Sequence, residues 1–340
     1  MLYQQFFSSD DNGKLKISTI TDKIDLSGSR YDPSTFIGRA KHSFGTINPT
    51  YLFFSNEYLD ECRKTITNYK KGIVDTKMTA DELWTRKAHY DSAFHPETGE
   101  KAFVLGRMSA QSPCNALIKG AMLTFYKNPY AVFLWHWTNQ GHGALLNYCN
   151  RSGKAGSGDN QRLMTAFGCA TTAGVTTALT LNALVARMSV PPLVNRFVPL
   201  LASSIAMSIN IPIIRQQEIF EGIAVKDEND KILGKSSIAA TSAIGTVCLS
   251  RILIAAPYMI ASPVLMEYLS KTKLYRNNTW ISAPFQCLLT GLILCVSAPV
   301  GCSIFPQKAS INVTSLEPAL QGKLATLSYT SPVVYYNKGL

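Results

Sequence analysis

Five stretches of this chain run too long without charge for an ordinary soluble protein. Twenty-three residues separate Lys127 from Arg151, 24 separate Arg162 from Arg187, and 18 separate Arg196 from Arg215. From Ser236 to Met266 the single charge is Arg251, and the 31 residues from Asn277 to Gln307 carry none. A bilayer-crossing helix needs about 20 mostly apolar residues. A soluble core helix rarely gives several such gaps in succession. The pattern predicts a multi-span helical membrane protein.

Charge divides the chain into unlike parts. Residues 1–107 hold 15 Lys and Arg against 14 Asp and Glu, whereas 108–340 hold 18 against 8. Nearly all of the net charge of +11 therefore falls in the apolar part. A basic soluble protein would suggest nucleic acid. Here the cations punctuate apolar stretches, where they meet anionic headgroups, so the expected partner is the lipid bilayer and not nucleic acid. A mean hydropathy of only +0.05 is an average of the two parts. The division predicts a mainly helical soluble region over 1–101, a membrane domain over 102–307 and a C-terminal tail over 308–340.

The clearest spans are Leu163–Ala186, Phe197–Ile214, Ser237–Tyr258 and Trp280–Phe305. The first membrane entry is ambiguous. Ala102–Tyr126 is apolar but carries Arg107 and Lys119, and Pro129–Tyr148 is uncharged but rich in Trp, His, Asn and Gln. One of these can lie in the interface or line a polar cavity. The expected fold is an all-α membrane protein with about five transmembrane helices, a sixth segment being interfacial or re-entrant. Ser237, Thr241 and Gly245 recur every fourth residue, as do Ala170 and Gly174. Small residues at that spacing let helices approach closely in lipid, or are simply chance in spans of this composition. Prolines at 129, 199, 212, 257, 263, 284 and 299 interrupt the spans or mark their ends. Such breaks are tolerated where neighbours or a cavity satisfy the freed backbone, which suits a transporter better than an inert anchor.

Met1–Asp11 reads neither as a signal peptide nor as an Arg-rich, acid-poor presequence. Internal signals would then direct insertion. The eight cysteines show no CxxC or other paired spacing, so they read as small hydrophobes without a metal or redox role. Nucleotide, nucleophile and zinc-protease motifs are absent. Nothing in the sequence calls for an enzyme active site, a cofactor or a metal.

Polar residues within apolar surroundings are the candidates for function. Asn139-Gln140-Gly141-His142-Gly143 follows Trp135-His136-Trp137, and helical spacing aligns Asn139, Gly143, Asn147 and roughly Asn150 on one face. Such a stripe faces a cavity or another helix, or wets an interfacial helix. Arg251 either meets a substrate carboxylate in a water-filled cavity or snorkels. Asn210-Ile211-Pro212, just before Arg215 and Glu218, is a Pro-broken helix end able to offer an amide and free carbonyls, or a plain helix stop. His95-Pro96-Glu97-Thr98-Gly99 reads as a turn at membrane entry, since Pro fixes φ and Gly permits its positive values. Val225–Gly234 is a charged loop long enough for a small hairpin; the calcium-loop pattern it faintly resembles is not there.

Several of these stretches together resemble the sideroflexin family. They are Tyr31-Asp32 with Thr35-Phe36 and Gly38-Arg39, Tyr90–Phe94 with the His95–Lys101 run, Gly106–Gln111, Asn147-Tyr148 with Asn150-Arg151, Asn210–Pro212, Arg215-Gln216 with Glu218, Ser250–Ile252, Ala256-Pro257, Phe305–Lys308 and Asn337–Leu340. Each is weak alone, but their order over Tyr31–Leu340 is specific. The resemblance implies a five-span protein of the mitochondrial inner membrane, carrying serine or other small neutral amino acids for one-carbon metabolism. The residues expected to contact substrate are Asn139, Gln140, Asn147, Asn150, Asn210, Arg215 and Arg251, with Arg251 taking the carboxylate. His95, Pro96, Glu97, Thr98, Gly99, Pro212 and Glu218 would be structural or gating residues. The other reading is a non-transporting membrane scaffold for respiratory-complex assembly or iron homeostasis, although no iron-ligand cluster stands out.

Two departures touch these positions. The family pattern is Asn-Gln-Ser-aromatic-Asn where this chain has Asn139-Gln140-Gly141-His142-Gly143. A further Asn of the family falls where this chain has Met207.

Overall fold

The computed structural model describes residues 24–26, 28–73, 78–95, 98–150, 159–188, 197–273, 275, 279–327 and 329–339. The N-terminal part is helical, as its sequence predicts. Helix α1 (Phe36–Thr46) starts where the Thr35 hydroxyl accepts from the Gly38 N–H. Helices α2 (Asn56–Lys70) and α3 (Ala80–Ala93) are capped in the same way by Ser55 and Thr79. These side chains satisfy donors that a first helical turn leaves free. Leu59, Ile66, Tyr69 and Leu83 are buried between the helices. Arg86 crosses from α3 to Glu61 on α2 at 2.7 Å and pairs along its own helix with Glu82 at 3.2 Å. His89 packs among Tyr51, Phe54 and Tyr58, with Nδ1 2.9 Å from the Tyr58 oxygen. Burial first, and the Arg86 charge second, hold its imidazole below the ordinary histidine range.

Six helices then run alternately up and down: α4 (Gln111–Thr124), α5 (Pro129–Asn150), α6 (Asp159–Arg187), α7 (Val198–Ile214), α9 (Ser237–Ser270) and α10 (Ser282–Ile304). A short α8 (Gln216–Glu221) follows α7. Side-chain ties fix the directions. Asn150 donates to the Gly106 carbonyl at 2.8 Å, bringing the end of α5 to the start of α4. Asn182 donates to the Tyr126 carbonyl at 2.6 Å, joining the end of α6 to the start of α5. Arg162 donates to Gln217 at 2.5 Å, joining the start of α6 to the end of α7. Ser250 reaches the Gly301 carbonyl and Ser262 meets Thr290, so α9 and α10 are antiparallel.

Among the described residues, α6, α9 and α10 are long and apolar enough to cross a bilayer. Length and composition leave the expected number of about five spans unsettled. Helix α7 has the hydropathy but only 17 residues. Helix α4 has 14, about 21 Å at 1.5 Å per residue. Helix α5 has 22, but its amides and histidines keep it out of the apolar set.

The bundle is inverted relative to a soluble fold. On α10, Gln286, Thr290 and Ser297 face inward, while Leu288, Leu292 and Val296 are each about three-fifths exposed. Contiguous apolar surface of this extent is suited to lipid. Two small-residue rows fare differently. Ala166, Ala170, Gly174 and Ala178 are buried on α6. Thr241 and Gly245 face outward, and α9 packs instead through Ala239, Ala240, Ala243 and Val247.

A four-stranded antiparallel sheet corrects the all-α expectation. Strands β1 (Ile223–Lys226) and β2 (Ile232–Ser236) form the hairpin foreseen in the charged loop, with Asp227 accepting from the N–H groups of Asn229 and Lys231. Strands β3 (Lys308–Asn312) and β4 (Val333–Asn337) come from the expected tail and complete the order β2-β1-β4-β3. Alternation explains β4: Val334 and Tyr336 point inward, onto Val225, Leu233 and the Leu320 and Leu324 of helix α11 (Pro318–Thr326). The expectation of a tail overlooked this alternating Val-Val-Tyr-Tyr run.

The same segment caps the longest membrane helix. Glu317 Oε1 accepts from the Ile238 N–H at 2.9 Å and from the Ser236 hydroxyl at 3.2 Å, while Ser236 accepts from the Ala239 N–H. Burial alone would raise this carboxyl's pKa, but those hydrogen bonds outweigh it and hold the group below the ordinary Glu range. A lowered folded-state pKa means that Glu317 contributes its full stability above the ordinary carboxyl range and loses it as the pH falls from there through the lower folded-state value. Glu317→Ala is expected to cost about 1 kcal/mol and to raise amide exchange in the first turn of α9. Unchanged exchange at Ile238 and Ala239 would refute the cap.

Candidate functional site: a buried polar cluster between α4, α5 and α7

Helices α4, α5 and α7 bring polar groups together inside the bundle. Helix α5 turns His136, Asn139 and Gln140 inward, three or four residues apart and so on one face. Asn139 faces α4, where its Oδ1 accepts from Lys119 Nζ at 2.5 Å. Gln140 faces α7, where its Oε1 accepts from Asn210 Nδ2 at 2.9 Å. Gln140 and Lys119 are 5% and 7% exposed. Lys119 is within electrostatic reach of both His136 and His142.

The cluster is incompletely paired. Among the described residues, His136 Nδ1, His142 Nε2, Thr171 Oγ1 and Ser203 Oγ are buried without a hydrogen-bond partner. Leaving buried polar atoms unpaired costs about 1–3 kcal/mol each, so several in one bundle require a reason. Gly174 makes room for the imidazole: a Cβ there would lie 2.7 Å from His136 Nδ1. Beside His136, a cavity of about 10 Å³ is lined by Trp135, Ala178, Val198 and Pro199. That is room for about one water.

Of the residues expected to contact substrate, Asn139, Gln140 and Asn210 are brought together. Asn147 is exposed. Asn150 spends its amide on the Gly106 and Leu146 carbonyls. Arg215 makes two hydrogen bonds to Glu218, at 3.0 and 2.5 Å, and a third to the Lys338 carbonyl at 2.8 Å, so it fastens the segment after β4 to the end of α7. Arg251 is exposed on α9 and makes no hydrogen bond or ion pair with the described residues. The stripe of four residues on α5 therefore divides after its first member.

Pro212 lies in the last turn of α7. His95, Thr98 and Gly99 form a tight turn: the Gly99 N–H donates to the His95 carbonyl, the His95 N–H to the Glu100 carbonyl, and Gly99 has φ +65°. Pro96 and Glu97 lie outside the described residues. Met207, at the second departure, packs with Tyr258, Met259 and Leu294, which accounts for an apolar residue there. Sequence reasoning passed over Lys119 and His136 as binding groups. A lone ammonium inside the otherwise apolar Ala110–Thr124 was the available signal.

Apolar side chains outside, with amides, imidazole and an ammonium inside, define a multi-pass membrane protein with a polar interior. The chain belongs to the sideroflexin family, whose sequence model, described as Sideroflexins, matches residues 25–340. It is 48% identical to Sideroflexin-1 of Homo sapiens over 93% of this chain and 98% of that protein. It is 46% identical to Sideroflexin-3 of Mus musculus, again over 93% and 98%. It is 42% identical to Sideroflexin-1.1 of Caenorhabditis elegans over 93% and 96%. No solved structure matches the chain.

Proposed function

We propose that this chain carries small zwitterionic amino acids, serine foremost, across the mitochondrial inner membrane, where serine supplies one-carbon metabolism. One observation carries the reading: the Gln140–Asn210 pair and the neighbouring unpaired groups are buried between helices otherwise made for lipid. Polar residues at membrane depth generally mark a solute path. Amides offer donors and acceptors without net charge, which suits a solute bearing one positive and one negative group. Family membership supports a carrier role. The narrowness of the cavity beside His136 implies alternating access, in which α5 and α7 part to admit the solute and close behind it.

The test is uptake of labelled serine by the purified chain in liposomes. Uptake above protein-free liposomes, competed by unlabelled serine, is the expected result. No uptake by correctly inserted protein, with a known carrier working alongside, would remove this reading. A scaffold role would then lead, and one observation favours it: where the family pattern has Ser and Asn, this chain has Gly141 and Gly143, and a Cβ built on Gly143 meets nothing within 4 Å.

A further inference from the structure

We propose that Lys119 is the residue that binds the substrate carboxylate, a deepening that rests on the transport reading above. The ammonium carries three donors, and the bond to Asn139 uses one. No Asp or Glu occurs on α4, α5, α7 or α10. Helix α6 has one only at its first residue, Asp159, and α9 has only Glu267, near its far end. Lys119 makes no ion pair with the described residues. A buried ammonium must be paired or give up its proton, and an anion from outside the bundle is the pairing open to it.

The neighbours suit the rest of an α-amino acid. Gln140 and Asn210 bring amide oxygens to the adjoining helices, and such oxygens accept from an ammonium group. Ser203, seven residues before Asn210 and so on the same face of α7, has a buried hydroxyl with no partner. His136 Nδ1 is a second open position, on a side chain 3% exposed. A cation on α4 facing neutral amides on α5 and α7 reproduces the charge order of a zwitterion. The outward Arg251 cannot supply that order.

The experiment compares serine with ethanolamine, which keeps the amine and hydroxyl but has no carboxylate, as competitors of labelled-serine uptake. Wild type is expected to favour serine by about thirtyfold or more, the value of a charge-assisted hydrogen bond with its charge. In Lys119→Gln, which keeps a donor for Asn139, that ratio is expected to fall to a few-fold. Lys119→Arg is expected to keep most of it. Should Lys119→Gln insert poorly, Lys119→Met supplies the same comparison. An unchanged serine-to-ethanolamine ratio in either variant overturns the inference while leaving transport standing. Absence of uptake by the wild type removes the transport reading itself.

Discussion

Asn210→Leu will lower serine uptake by about tenfold or more, the effect expected when a buried hydrogen-bonding site loses one polar member. The same change will destabilise the protein, because Gln140 Oε1 then loses the donor that holds it at 2.9 Å. The double variant Gln140→Leu with Asn210→Leu separates the two effects. Replacing both partners of a buried hydrogen bond by apolar groups of similar size is nearly neutral for stability. The double variant should therefore unfold close to the wild-type midpoint and still fail to carry serine. Wild-type uptake in the double variant would show that this pair ties helices and does not line a solute path.

The largest effect on folding should come from Gly120→Val. A Cβ at Gly120 would lie 2.5 Å from Cys287 Cα and 2.9 Å from its backbone nitrogen. Backbone cannot rotate away as a flexible side chain does, so α4 and α10 must move apart. Overpacking of this kind costs about 3 kcal/mol or more, a large share of the stability of an ordinary domain. Most of the purified variant should elute as aggregate in detergent. Gly245→Ala is the control, since a Cβ there meets nothing within 4 Å. It should fold normally and gain up to about 1 kcal/mol of helix preference. Equal behaviour of the two variants would refute the close approach of α4 to α10.

Long-range order in this sequence was legible where one physical requirement dominated. The absence of charge located α6, α7, α9 and α10, because lipid forbids charge along a whole helix and leaves a mark some 20 residues long. The strands were harder. β3 and β4 have five residues each, and β4's partner β1 lies about a hundred residues away, so no local pattern announces the pairing. The site was legible by residue type and not by direction. The amides of Asn139, Gln140 and Asn210 bond to Lys119 and to each other between helices. Arg251 stood out because it interrupts an apolar run, yet a 34-residue helix exceeds what a bilayer needs, and a long cationic side chain can reach headgroups from its outer face. Lys119 drew less notice in a shorter segment that already held Arg107. Which of two lone cations faces inward depends on neighbouring helices, and the sequence of one helix does not contain that information.

The sheet has a consequence for sidedness. Strand β2 runs directly into α9, and β3 begins four residues after α10 ends. Because β1 and β4 pair, the two helices must carry the chain out and back, and both strands belong to a single compartment. Arg39 donates to the Ser303 carbonyl at 2.9 Å, at that same end of α10, so the N-terminal helices share the compartment with the sheet. Folded mass outside the bilayer is thus gathered on one face. Among the described residues, the opposite face offers only the connections near Lys127 and Lys271. A solute arriving from that side meets the helix ends directly. On the other side, a regulator that grips the folded parts reaches the chain from that compartment alone.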